Sequence, residues 1–178
     1  MLALNLGRIR SAHERFDRVY QPDQVGRGHE GFTVTSPVTL GFDIYKDKDQ
    51  FRLIGRVQAS LELLCSRCLE PFTWPVDAEF DLRYQPHSQN SGDGEREVEE
   101  DDLTTAFYQN DEIDLGQLMQ EQFYLSLPMK PLCQEDCKGL CPTCGTNWNR
   151  GTCACTNQWE DPRLAALRSL QADQRRGH

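Results

Sequence analysis

The sequence predicts an α+β protein: an antiparallel β-meander or partly closed barrel, two or three helices, and a Cys-rich zinc-binding C-terminal module. Three observations predict it. Apolar residues alternate through three consecutive runs between residues 32 and 84. A helix-spaced apolar stripe follows an aspartate at 114. Eight cysteines stand in four close pairs, six of them within 23 residues. Period two over successive runs implies strands with one buried face, and close thiol pairs without a secretory leader imply metal rather than disulfides.

From the N-terminus, Leu2, Leu4 and Leu6 alternate, which predicts a short strand joining the sheet. Five arginines follow, at Arg8, Arg10, Arg15, Arg18 and Arg27, with Phe16 and Tyr20 between them. Charge interleaved with rings suits irregular or single-stranded RNA, so Arg8, Arg10, Arg15, Arg18, Phe16 and Tyr20 are candidate RNA-binding residues on an N-terminal arm. The competing reading is an amphipathic segment wrapping the sheet. Residues 32–45 read as the first of the three strands, with Val38, Leu40, Phe42 and Ile44 alternating. Residues 46–50 form a polar turn. The second strand runs from Phe51 to Leu64, with Phe51, Leu53, Gly55, Val57, Ala59, Leu61 and Leu63 on one face. The third runs from Phe72 to Tyr84, with Phe72, Trp74, Val76, Ala78, Phe80 and Leu82 in register. Residues 86–102 combine Pro, Ser, Gly and a run of acids, which predicts a solvated acidic loop. Asp114 is placed to N-cap a helix over 115–127, with Leu115, Leu118, Met119, Gln122 and Phe123 on one side and Pro128 as its stop. Asp161-Pro162 opens a terminal helix with Leu164, Leu167 and Leu170 as its stripe. Residues 1–127 therefore read as a sheet domain with an N-terminal arm, and 128–178 as a Cys-rich zinc module and terminal helix packed on the sheet.

Composition sets the bounds. A chain of 178 residues is one domain, at most one plus a small module. Leu, Ile, Val and Phe together number 39 residues, so the apolar core is lean and leaves part of the chain in need of another support. Net charge is −9, and residues 86–127 hold one basic group against eleven acids. That field argues against non-specific nucleic-acid binding by the whole surface but leaves local basic faces open. No apolar run is long enough to span a membrane, and the start lacks the basic region and apolar stretch of a signal peptide, which predicts a cytoplasmic protein. Phosphate loops, dinucleotide fingerprints, nucleophile elbows and two-histidine zinc helices are missing, and the four histidines are scattered. The expectation is a protein that is not an enzyme and has no small-molecule substrate.

The cysteine pairs are Cys65-Ser-Arg-Cys68, Cys133-x3-Cys137, Cys141-Pro-Thr-Cys144 and Cys153-Ala-Cys155. Short spacings suit one tetrahedral ion, whose sulfurs lie about 3.7 Å apart. Cys141-Pro-Thr-Cys144-Gly145 carries the strongest signal, because Gly145 can take positive φ and let backbone N–H groups approach the sulfurs. Cys133 and Cys137 share a face if 132–138 is a helical turn, with Gly139 as its C′ residue. Cys65 and Cys68 sit where two strands join, where a hairpin end can present both sulfurs outward. The preferred partition is two zinc sites of four cysteines each: Cys65, Cys68, Cys133 and Cys137 clip the C-terminal segment to the sheet, and Cys141, Cys144, Cys153 and Cys155 form a compact local site. The alternative is one zinc held by four of the six C-terminal cysteines, with Cys65 and Cys68 free. A redox Cys-x-x-Cys at Cys65 and Cys68 is a rival, disfavoured because the pair lies within a run of strands rather than at the start of a helix. Lys130, Lys138 and Arg150 are a further candidate phosphate-contacting patch, with ordinary solvated charges as the plainer reading.

Several stretches taken together resemble one family. They are Cys65-Ser-Arg-Cys68-Leu-Glu-Pro-Phe72, Glu112-Ile-Asp-Leu115 with Glu121-Gln122, Leu127-Pro-Met-Lys-Pro-Leu-Cys133, Cys137-Lys-Gly-Leu-Cys-Pro-Thr-Cys-Gly145 and Asp161-Pro-Arg-Leu164. In this order, over about residues 30–170, they resemble the YceD family of bacteria and plastids. Trp148 departs from the Leu expected in the Asn-x-Asn stretch. The resemblance implies a non-enzymatic role in ribosome biogenesis, tied to accumulation of large-subunit (23S) ribosomal RNA. The implied partner is a large-subunit rRNA precursor or a ribosomal or assembly protein, and the zinc, one or two ions, is structural. A protein-interaction adaptor without RNA contact is the second reading, suggested by the acidic 86–127 region.

Overall fold

The computed structural model describes residues 2–25, 31–87 and 105–155. The fold is mostly sheet with few helices. Its strands are β1 (Ala3–Asn5), β2 (His13–Tyr20), β3 (Phe32–Val34), β4 (Val38–Asp47), β5 (Gln50–Leu64), β6 (Pro71–Pro86), β7 (Thr105–Tyr108) and β8 (Glu112–Asp114). A 3-10 turn spans Leu6–Arg8, and the helices are α1 (Pro22–Val25) and α2 (Leu115–Ser126).

The main sheet has six strands in the order β2-β4-β5-β6-β7, with β3 also paired to β5. Strands β2, β4, β5 and β6 pair antiparallel with their neighbours, and β7 lies parallel to β6. Among the described residues its end strands do not pair with each other, so the sheet is open and no barrel closes. Strands β5 and β6 form its centre, in register from Phe51↔Tyr84 to Leu64↔Pro71.

Alternation sorts the side chains into two faces, as it must where one side is buried. Leu40, Phe42, Ile44, Leu53, Val57 and Leu61 are fully buried on the inner face. Helix α2 covers that face with Leu115, Leu118, Met119, Gln122 and Phe123. Its start is fixed by Asp114, whose carboxylate accepts the backbone N–H groups of Gly116 at 2.8 Å and Gln117 at 3.1 Å, satisfying donors that a helix start leaves unpaired. The Trp74 indole of β6 donates to the Ser126 carbonyl at 3.2 Å, tying the far end of the helix to the same face. The outer face is charged. Arg56 pairs with Asp77, Arg52 with Asp81 at 2.7 Å, and Arg15 with Asp43 at 2.8 Å, each across neighbouring strands. Hydrogen bonds from Arg56 and from Arg52 hold Asp77 and Asp81 below the usual carboxylate range, and His13 with Arg15 does the same for Asp43.

Three expectations of the strand pattern are corrected. The stretch 32–45 is two strands, because the register slips between Val34↔Leu61 and Thr39↔Gln58 and extra residues bulge at 35–37. Pro37 has no N–H for the ladder, and the Ser36 hydroxyl accepts the Ser60 N–H at 2.8 Å instead. The strand at the N-terminus forms, but β1 pairs with β8 in a separate two-stranded sheet rather than joining the main one. The basic segment is not an arm over its length: residues 13–20 are the edge strand β2, in register from His13↔Tyr45 to Tyr20↔Val38. The parallel strand β7 and the strand β8 are additional elements. The acidic loop beyond His87 and the terminal helix at 161–170 lie outside the described residues. Among the described residues, no helix is long and apolar enough to cross a membrane.

Candidate metal centres

The turn from β5 to β6 builds half of the first centre. The Cys65 N–H donates to the Glu70 carbonyl at 3.0 Å, and the Leu69 N–H donates back to the Cys65 carbonyl at 2.9 Å. Closing the turn this way puts Leu69 at φ +58°, in the left-handed region. Backbone N–H groups of Cys68 and Arg67 then point at the Cys65 sulfur, and that of Glu70 points at Cys68.

The sulfurs do not face outward as expected. Cys65 is 0% exposed and Cys68 4%, because residues 131–140 fold over them. Hydrogen bonds hold that cover, among them Ser66 N–H to the Pro131 carbonyl at 2.8 Å, Leu140 N–H to the Arg67 carbonyl at 3.2 Å, and Arg67 Nη1 to the Cys137 carbonyl at 2.8 Å. Residues 132–138 form a turn rather than a helical turn, closed by the Cys137 N–H on the Gln134 carbonyl at 3.2 Å. Gly139 takes φ +76°, which lets the chain lie against Arg67. Cys137 Sγ comes to 3.7 Å from Cys65 Sγ, and Cys133 Sγ to 3.7 Å from Cys68 Sγ.

The second centre repeats the first turn. The Cys141 N–H donates to the Thr146 carbonyl at 2.9 Å and the Gly145 N–H to the Cys141 carbonyl at 2.9 Å, with Gly145 at φ +74°. The Thr146 hydroxyl lies 3.1 Å from Cys144 Sγ. Cys153 and Cys155 complete the group. In each set of four, Cys65, Cys68, Cys133 and Cys137 or Cys141, Cys144, Cys153 and Cys155, the sulfurs all lie within 4.8 Å of one another. All eight cysteines are free thiols.

Four thiols so close cannot all ionise without a cation. In the first centre the N–H groups of Cys68, Cys133 and Arg67 overcome burial and bring Cys65 down to about 6, while burial and the neighbouring thiols push Cys133 up to about 12. In the second, the Thr146 hydroxyl and N–H bring Cys144 down to about 6, while Cys144 and burial push Cys155 up to about 12. An all-sulfur set of four donors this close together fits a thiolate-seeking ion such as zinc, and either group could hold one.

Residues outside the cysteine pattern complete both centres. Asn149 Nδ2 donates to Cys137 Sγ at 3.2 Å, and the Trp148 indole donates to Cys153 Sγ at 3.5 Å. Glu70 receives Arg150 Nη2 at 2.7 Å and Asn147 Nδ2 at 3.3 Å, joining the two turns. The Asn147-Trp-Asn149 stretch was the only hint in the sequence, since nothing in the spacing of polar residues says which sulfur they reach.

The candidate RNA residues are not gathered on one face. Arg8 and Arg10 precede β2 and are exposed. Arg15 points to the outer face, bonded to Asp17 and Asp43, while Arg18 lies opposite Leu40 on the inner side. Phe16 stacks on Phe42 at 5.3 Å, and both Phe16 and Tyr20 pack against the core, so their rings are partly occupied.

The family model for "Large ribosomal RNA subunit accumulation protein YceD" matches residues 53–171, a span that holds all eight cysteines. The chain is 29% identical over 143 residues to the chloroplastic large ribosomal RNA subunit accumulation protein YCED homolog 1 of Zea mays, covering 68% of this chain and 48% of that protein. The Arabidopsis thaliana homolog 1 is 26% identical over 157 residues, 76% of this chain and 49% of its own length. The Haemophilus influenzae YceD protein is 29% identical over 136 residues, 74% and 75% of the two chains. The chain thus spans about half the length of the plant relatives. No solved structure matches it. With two thirds of its length inside the family model, the chain belongs to the family of large ribosomal RNA subunit accumulation proteins, YceD.

Proposed function

We propose that this chain is a non-enzymatic ribosome-biogenesis factor of the cytoplasm that supports the accumulation, processing or stability of 23S rRNA. The observation that carries the reading is the family match over 53–171, within which every cysteine of both candidate centres falls. On this reading two zinc ions are structural: they pin a segment with little core of its own to the end of the β5–β6 hairpin, and the surface so formed meets a large-subunit rRNA precursor or a ribosomal or assembly protein. A thiol-redox role for Cys65 and Cys68 is disfavoured, because both sulfurs sit inside a four-thiol group.

A second reading, an adaptor that binds a protein and not RNA, is favoured by one observation: Arg15 is engaged by Asp17 and Asp43, and Phe16 by Phe42, so part of the expected RNA surface is already used within the chain. Depletion of the protein and re-expression of this chain test the main reading. The large- to small-subunit rRNA ratio should fall on depletion and recover on re-expression. An unchanged ratio contradicts it. Recovery of precursor rRNA after crosslinking to the tagged protein supports direct contact, whereas recovery of protein alone supports the adaptor.

A further inference from the structure

The loop between Cys144 and Cys153 belongs by sequence to the second, more exposed centre, here the outer one, yet its side chains finish the first, buried centre, the inner one. Asn149 Nδ2 donates to Cys137 Sγ at 3.2 Å, while its Oδ1 accepts the Lys138 N–H at 2.8 Å and Gln134 Nε2 at 3.4 Å. One amide therefore grips the sulfur of Cys137 and the chain on either side of it. Asn149 is itself held by Asn147, whose Oδ1 accepts both the Asn149 N–H at 2.9 Å and Nδ2 at 3.0 Å. The Asn147 amide reaches on to Glu70, whose carbonyl closes the Cys65 turn. Between them, the Trp148 backbone N–H donates to the Gly139 carbonyl at 2.9 Å, and its indole reaches Cys153 of the outer centre. The three residues 147–149 thus touch both centres at once.

We propose that Asn149 is a positioning residue coupling the two four-cysteine centres, so that a metal ion bound at the outer centre tightens binding at the inner one. The inference rests on the reading that both centres hold metal. Its physics is the usual outer-shell effect: an N–H aimed at a metal-bound thiolate offsets its charge and fixes its direction, and losing it costs about 10–100-fold in affinity. Here the donor is held in place only when residues 141–155 are folded, and folding of that loop is what an ion at Cys141, Cys144, Cys153 and Cys155 secures. Two sites that share one ordered element are coupled, and the coupling is reciprocal.

The test uses the full-length reduced protein, zinc titrated against a chromophoric chelator, and cobalt(II) as spectroscopic probe. The wild type should bind two ions. Asn149→Ala should still bind two, with the inner centre weakened about tenfold and its sulfur-to-cobalt band shifted. Cys144→Ser leaves only the inner centre to be read, and it should show a similar loss. Adding Asn149→Ala to Cys144→Ser should cost little more, since the amide is no longer placed by a folded loop. If Cys144→Ser fails to fold, Asn149→Ala and its cobalt spectrum carry the test. Two ions bound, with inner affinity within about twofold of wild type in Asn149→Ala and the band unmoved, overturn the coupling while leaving the metal reading standing. A wild-type protein that binds neither ion overturns both.

Discussion

Leu69 and Gly145 occupy the same place in two turns of one design. Each follows the second cysteine of a Cys-x-x-Cys, each N–H donates to the carbonyl of the first cysteine at 2.9 Å, and each is left-handed, at φ +58° and +74°. Glycine takes this conformation freely, whereas a residue with a Cβ is strained by about 1–2 kcal/mol. A Cβ at 145 would meet nothing within 4 Å, so only backbone strain opposes it. Gly145→Ala is therefore expected to destabilise the outer turn by about 1 kcal/mol. Leu69→Gly, at a side chain 62% exposed, should be tolerated. Chelator-induced unfolding, followed by tryptophan fluorescence, compares the two.

Gly55 is the most crowded glycine among the described residues. A Cβ there would collide with the Gly41 carbonyl oxygen and with Phe42 Cβ, on the neighbouring strand. Gly55→Ala should destabilise the sheet by about 1–3 kcal/mol through overpacking, read from urea unfolding of the metal-loaded protein.

Where the sequence was legible, local periodicity and composition decided the structure. Phe51–Leu64 and Phe72–Tyr84 alternate because one face is buried, and Asp114 with the stripe from Leu115 to Phe123 sets the helix. The bulge at 35–37 was hidden because Phe32, Val34 and Val38 keep the same parity across it, and Pro37 was the one warning. Strand β2 was hidden because five arginines read as an arm, and only pairing with a strand that begins at Val38 shows Arg15 engaged by Asp43. The parallel strand β7 carries no local sign of its partner, since a long stretch of chain separates it from β6. The cysteine spacings indicated both sulfur sets, but the amide and indole that finish them are contacts of the folded loop.

Metal binding should release protons. Without a cation Cys133 and Cys155, pushed up to about 12, keep their protons at neutral pH, so an ion must displace them. Affinity should rise with pH through the neutral range. It should fall more steeply below about 6, where Cys65 and Cys144 also take up protons. An indicator-dye titration, with chelator competition at about pH 6 and pH 7.5, checks both. Affinity independent of pH contradicts the thiolate ligand sets.

Changing Arg8, Arg10, Arg15 and Arg18 together to Gln is expected to weaken association with large-subunit precursors and flatten its salt dependence, because each lost phosphate contact removes about one released counterion. Arg15→Gln alone should contribute least, since Asp17 and Asp43 already hold that guanidinium. Co-sedimentation across a salt series is the measurement. Association unchanged by the fourfold change would remove these residues from the interface and put the adaptor reading first.

The most direct measurement is native mass spectrometry of the full-length protein, purified under reducing conditions without chelator. The two sulfur sets predict two zinc ions per chain, with Cys144→Ser retaining one and keeping the β-sheet signal in circular dichroism. A folded, reduced protein carrying no metal would contradict the account.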